Sequence, residues 1–291
     1  VKGIVADPQF GVIKRKNRIQ PARRKSPGGP KKQRKGSEEL SMMSDNERPP
    51  LVGVLGGMGP AATVDFLHKL VQEMPAVVDQ DHVPVLAWNV AQIPDRQQAL
   101  AGTGESPLPA LLDGIKRLAS AGVTRIVIPC NTAHHWFDQL AAASPVPLIH
   151  IADATLAALV SDKENDRANG QGGVVGLIAT RGTLVSGLYQ QRFAAAGIDY
   201  LVSTDDELDT LFTPGCYAVK RGEFEAGGRL LEAAAQALID CGARRLVLAC
   251  TEVPLALERI GSRLLPFSID TNRALAQACV AYWQLARSPR S

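Results

Sequence analysis

Two cysteines are the residues of this chain best suited to chemistry. Cys130 closes the apolar run Ile126–Cys130 and is followed at once by Asn131, Thr132 and Ala133; Cys250 closes Leu246–Cys250 and is followed by Thr251 and Glu252. The second stretch repeats the first 120 positions later. A thiolate acts as nucleophile, metal ligand or base according to its surroundings. Nucleophilic catalysis calls for one cysteine beside a histidine base, and a metal site needs more ligands than either stretch supplies. A matched pair on opposite sides of a small substrate suits a two-base proton transfer instead. One thiolate removes the hydrogen from a carbon next to a carboxylate, the other thiol delivers a proton to the opposite face, and the stereocentre inverts. The developing carbanion must be stabilised by N–H groups and cations around the carboxylate, and each thiol needs a pKa near the working pH. The competing reading is that small buried cysteines merely fill strand ends. The duplication weighs against it.

Each cysteine run reads as a buried strand delivering a thiol to its C-terminal edge, where open α/β sheets bind ligands. Val52–Val71 is a strand, a glycine turn and an amphipathic helix, with Val64, Leu67, Leu70 and Val71 spaced for one buried face. Gly56-Gly57-Met58-Gly59-Pro60 lacks the G-x-G-x-x-G spacing and the acidic residue of a dinucleotide site. Its N–H groups suit a smaller anion such as a carboxylate. Val83–Arg96 is a strand running into a loop; Arg96 on that loop is either a solvated surface residue or a bidentate carboxylate clamp. A helix over Leu108–Ala121 stops at Gly122, His134 and His135 follow Cys130 on the next helix, and Val146–Ile151 is a strand. Ser161–Gly173 is polar and reads as a loop, after which the pattern restarts. Val175–Ile178 echoes Val52–Leu55, with Thr180, Gly182 and Thr183 where the glycine turn stood. A helix holding Leu188, Tyr189 and Phe193 comes next; Phe224–Cys241 is a helix stopped by Gly242, and Pro266–Asp270 is a strand. The expected fold is α/β, with two pseudo-symmetric parallel-sheet (Rossmann-like) halves and the site in the cleft between them. The expected division is a basic extension over 1–49, a first domain over 50–154 plus 268–291, and a second over 155–267.

Charge is unevenly distributed. Residues 1–50 carry 13 Lys and Arg against 5 Asp and Glu, so the remainder is mildly acidic although the chain is formally +3. The basic segment is too poor in apolar residues to fold alone. It is expected to be disordered, with the protein proper starting at Met42 or Met43. The acidic body gives no support to a nucleic-acid or membrane-surface role. No apolar run approaches the roughly 18–20 residues that span a bilayer, and no secretory signal is visible. The five cysteines are scattered, without C-x-x-C or His/Cys metal spacing. They read as reduced thiols of a cytoplasmic protein, with no metal site.

These residues resemble the aspartate/glutamate racemase family of cofactor-independent amino-acid racemases, most of all its aspartate-racemase branch. The resemblance runs from about Leu51 to Ala281. It is carried by Gly56–Pro60, Gln92-Ile93-Pro94-Asp95-Arg96, Pro129–His134, Gly176–Thr180 with Gly182-Thr183, and Ala249-Cys250-Thr251-Glu252. It implies that Cys130 and Cys250 are the two acid/base residues, that no cofactor is needed, and that the last helix returns to the first half. Met58, Gly59, Asn131, Thr132, Thr180, Thr183 and Thr251 would hold the α-carboxylate and ammonium, with Glu252 beside them. Arg96 would bind the side-chain carboxylate, and Lys220 falls where the family has a second substrate-binding cation. Family members often have a tyrosine four residues before that lysine; this chain has Cys216 there and Tyr217 next. The implied substrate is aspartate, with glutamate next, and a homodimer is common in the family. Two other readings are a small-dicarboxylate isomerase on the same scaffold and a silent amino-acid-binding protein.

Overall fold

The computed structural model describes residues 49–168 and 173–287. The basic extension expected over residues 1–49 lies outside these except for Pro49. One parallel sheet contains β1 (Val52–Gly56), β2 (Val85–Asn89), β3 (Arg125–Val127) and β4 (Leu148–Ile149) in the order β2-β1-β3-β4. The other contains β5 (Val175–Ala179), β6 (Tyr200–Val202), β7 (Arg245–Ala249) and β8 (Ser268–Asp270) in the order β6-β5-β7-β8. The repeat extends to register, since Val52 pairs with Arg125 and Val175 with Arg245. Central strands β1 and β5 are buried throughout. Their continuous apolar sequences are what a parallel strand covered on both faces requires. In each sheet the chain runs from the central strand to one side and then crosses to the other. The carboxyl ends of β1 and β3, and of β5 and β7, are therefore topological switch points, where a crevice opens.

The first half carries α1 (Pro60–Glu73), α2 (Arg96–Leu100), α3 (Leu108–Ser120), α4 (Phe137–Ala143) and α5 (Ile151–Ala168). The second carries α6 (Arg181–Val185), α7 (Gln190–Ala195), α8 (Asp205–Glu207), α9 (Thr213–Lys220), α10 (Phe224–Asp240) and α11 (Glu252–Arg259), and α12 (Thr271–Arg287) closes the chain. Gly122 and Gly242, at φ +86° and +107°, end α3 and α10 as the sequence predicts. A positive φ there releases the helix without the Cβ clash other residues meet. Two helices cross between the sheets. Ala152 and Leu159 of α5 pack with Val175 and Leu177 of the second sheet. Leu275, Cys279 and Trp283 of α12 pack with Phe66 and Val52 of the first.

Several sequence expectations need correction. The buried side of α1 is Ala62, Thr63, Phe66 and Leu70, whereas Val64 and Val71 are 60% and 58% exposed. Asp65 and Lys69 take the place of an apolar stripe. Lys69 is buried and reaches Asp65 (2.8 Å), Glu258 (3.1 Å) and Asp270 (2.6 Å), tying α1 to α11 and β8. Burial alone would lower its pKa; Asp270 and Asp65 outweigh that and raise it. The stretch expected as a loop over Ser161–Gly173 is helical to Ala168, because no glycine or proline interrupts α5 before that point. Strand β8, which the expected boundary puts in the first domain, is hydrogen-bonded to β7. The return to the first sheet begins at Thr271.

Candidate active site

The carboxyl ends of the four switch-point strands line one cavity of about 210 Å³. Met58 arrives beyond β1, Cys130 to Thr132 beyond β3, Thr180 just after β5, and Cys250 to Glu252 just after β7. Arg96 and Lys220 also lie on its wall. Cys130 does not end its strand as expected. β3 stops at Val127, and Ile128–Cys130 closes a γ-turn in which the Cys130 N–H donates to the Ile128 carbonyl at 2.7 Å. Two predicted residues sit outside the cavity. Gly59 lines an adjoining depression of about 480 Å³ that shares Arg96, Lys220 and Glu252 with it. Thr183 stands one hydrogen bond away, 2.9 Å from Thr180 and 3.2 Å from Thr132. Among the described residues no cluster of three or more His, Cys, Asp or Glu side chains is arranged to hold a metal ion.

The glycine turn is built by backbone geometry. Gly57 has φ +101°, and a Cβ there would come within 2.1 Å of the Val90 carbonyl oxygen, so no other residue fits. Its N–H donates to Thr63 at 2.9 Å. A Cβ on Gly59 would approach Glu252 Oε1 to 3.3 Å, which puts the first-half turn against the second-half carboxylate.

Polar side chains hold the two halves in register. Thr132 lies 3.0 Å from Thr180, and Gln97 donates to Thr132 at 3.1 Å while accepting from the Gly182 N–H at 2.9 Å. The Asn131 side chain is engaged by the protein, accepting from Tyr189 and donating to Thr271 at 3.0 Å. His134 is structural. Its Nδ1 faces the Cys130 carbonyl at 2.9 Å, and Ile151 N–H donates to its Nε2 at 3.2 Å. A carbonyl only accepts, so Nδ1 carries the hydrogen and the ring is neutral. Burial first, then nearby His150, pushes its pKa down to about 3.

The charged wall is unusual. Arg96, expected on a loop, is the first residue of α2, where Asp95 caps the helix by accepting from Gln97 N–H and Gln98 N–H. It is only 7% exposed. Its Nη1 donates to the Ile93 and Pro94 carbonyls at 3.2 and 2.9 Å, while Nε has no partner. No ion pair neutralises it among the described residues, so a buried cation faces the cavity uncompensated. Such a group favours an anionic ligand. Lys220 lies 3.7 Å from Glu252, and Glu252 Oε1 has no hydrogen bond of its own. Burial and, to a lesser degree, Arg96 would depress Lys220; Glu252, Cys250 and Cys130 together outweigh them and raise its pKa. Contact with Cys216, then burial and the nearby Glu252, push the Cys250 thiol well above the ordinary cysteine value. Cys216, Tyr217 and Gln97 line the cavity without having been singled out as binding residues. Gln97 follows directly on the Arg96 motif; nothing in its own sequence context marks it.

The architecture is that of the two-domain amino-acid racemases. The chain resembles Picrophilus torridus aspartate racemase with a TM-score of 0.69 and 30% identity, over 81% of this chain and 94% of that one. It shares its fold with Campylobacter jejuni glutamate racemase, at a TM-score of 0.55 and 22% identity over 80% of this chain and 85% of that one. A broad specificity amino-acid racemase of Bacillus subtilis, RacX, is 26% identical over 79% of this chain and 97% of its own length. Residues 55–279 match the family model described as Asp/Glu/Hydantoin racemase, and the chain belongs to that family. It is an amino-acid racemase.

Proposed function

We propose that the protein racemises an acidic amino acid, aspartate first and glutamate next, by proton transfer between Cys130, Cys250 and the substrate α-carbon. The observation that carries this reading is that equivalent strand ends of the two halves bring one thiol each to a single small cavity walled by an uncompensated, buried arginine. One thiolate takes the α-hydrogen as a proton, and the electron pair of that bond stays on the substrate, delocalised into its carboxylate. The opposite thiol gives its proton to the other face. In this reading the backbone N–H groups after Cys130 and Cys250, with Thr132, Thr180 and Thr251, hold the α-carboxylate and ammonium. Arg96 and Lys220 hold the side-chain carboxylate, and Glu252 keeps the Lys220 ammonium in place. Gly59 and Thr183 support these contacts from behind. Residues 50–154 with α12 act as one lobe and 155–267 with β8 as the other.

Likeness to the aspartate racemase of P. torridus supports aspartate, and likeness to RacX supports some breadth of substrate. Among the described residues no helix is long and apolar enough to cross a membrane. All five cysteines are free, which favours the reducing cytoplasm as its location. The test is proton NMR of L-aspartate and L-glutamate in D2O with purified protein and no added cofactor, followed by chiral separation. Loss of the α-proton signal together with appearance of the D-enantiomer supports the reading. Absence of exchange with both would sink it.

A further inference from the structure

Cys216 has no part in the scheme above, yet its sulfur lies 3.7 Å from that of Cys250. It is carried on α9, is buried as Cys250 is, and opens on the same cavity. On the other side Cys250 donates to Glu252 Oε2 at 3.1 Å. The Cys250 proton is turned to the carboxylate, and two thiols this close give up their protons one at a time, because the second thiolate would face the first. Losing the Cys250 proton would set a buried thiolate against that carboxylate and against a Cys216 that has ionised first, and burial makes such repulsion costly. Lys220 shares the cavity and is itself paired with Glu252. Arg96 and Asp95 line the cavity from the first half, and Arg181 on its wall is held by two carboxylates, Asp205 and Asp209. The Cys130 sulfur has no such hydrogen-bonded neighbour among the described residues. The two halves that match in fold are unlike at their thiols.

We propose that Cys216 is a positioning residue that, with Glu252, keeps the proton on Cys250, so that the free protein enters the reaction with Cys250 as acid and Cys130 as base. This rests on the two-thiol reading given above. The enantiomer whose α-hydrogen faces Cys130 then meets the ready form. Cys130 thiolate takes that proton, the electron pair of the C–H bond remains on the substrate, and the Cys250 S–H proton goes to the opposite face. The product leaves a Cys130 thiol and a Cys250 thiolate, which must exchange a proton with solvent before the next turnover in the same direction.

The experiment is initial-rate alkylation of the full chain by iodoacetamide across pH, resolved by peptide mass spectrometry, for wild type, Cys216→Ala and Cys216→Ser. Neither replacement ionises in this range, and serine keeps a polar γ-atom that alanine lacks, so a shift common to both reports the loss of the ionisable sulfur. The Cys250 midpoint in wild type should lie above that of Cys130. Both variants should lower it by about one pH unit, roughly tenfold faster modification at a fixed pH, and leave Cys130 unmoved. The alkaline limb of kcat/KM for racemisation should fall with it while the acid limb stays. An unmoved Cys250 midpoint in both variants overturns the proposal. Alkylation is read without turnover, so that result is distinct from failure of the racemase reading, which α-hydrogen exchange decides.

Discussion

The sharpest quantitative consequence of the fold concerns two imidazoles behind Cys130. His134 accepts the Ile151 N–H at 3.2 Å, and His150 accepts the Ala152 N–H through Nδ1 at 3.1 Å. Protonating either acceptor nitrogen would put N–H against N–H, and both rings are buried. Burial is the leading cause that lowers both to about 3, with mutual repulsion adding at His134 and Arg192 adding at each. In the unfolded chain each titrates at about 6.5. A histidine kept neutral by folding contributes stability that is fully present above pH 6.5 and is lost as pH falls from 6.5 towards 3, because only the unfolded state gains the proton. At pH 5 the loss is about 2 kcal/mol per ring, hence about 4 kcal/mol for the pair, a large share of the ~5–15 kcal/mol that holds a domain together. Urea unfolding at intervals from pH 7.5 to 5 should show this loss, with a limiting slope near 2.7 kcal/mol per pH unit. His134→Gln, destabilised at every pH, should show about half the slope. A stability flat to within roughly 0.5 kcal/mol over that range would refute the reasoning, since two charged buried rings would then have to be tolerated.

Other perturbations test the site. Cys130→Ala and Cys250→Ala should each abolish racemisation, whereas Cys241→Ala and Cys279→Ala should retain it, as chiral chromatography of the product will show. Arg96→Met removes an uncompensated buried cation along with two hydrogen bonds of about 1.5–3 kcal/mol each, so these terms nearly cancel in folding stability. Its kcat/KM for aspartate should nevertheless fall by about 10–100-fold, and aspartate should no longer raise the melting temperature. A loss of 3–5 kcal/mol in stability with the ligand response intact would make Arg96 a structural residue instead. Gly57→Ala should be strongly destabilising by urea titration, because the Val90 backbone occupies the place of the new methyl group. Edge strand β2 exposes Leu86 and Trp88, a face suited to a second copy, and light scattering should return twice the mass of the chain. Removing residues 1–41 should leave turnover unchanged.

The two cysteines, the glycine turns and the Arg96 motif are legible in the sequence alone, because each is a local signal. An apolar run ending in a polar triplet is a strand meeting a helix, and a glycine after a helix is a stop. Their duplication at a fixed interval carried the two-half architecture and the convergence of both thiols on one cavity. Side-chain partnership was not legible, since it depends on residues distant in the chain. The spacing of α1 suggested Val64 and Val71 for its buried face, but the charged residues of α11 and β8 select the Lys69 side. Arg96 reads equally as a surface residue until the fold closes around it and leaves it without a counterion among the described residues. Cys216 looks like a simple departure from a tyrosine. Only the docking of α9 against the end of β7 turns it into a second sulfur beside Cys250, because a contact of 3.7 Å between residues 34 apart is decided by packing and not by the order of the chain.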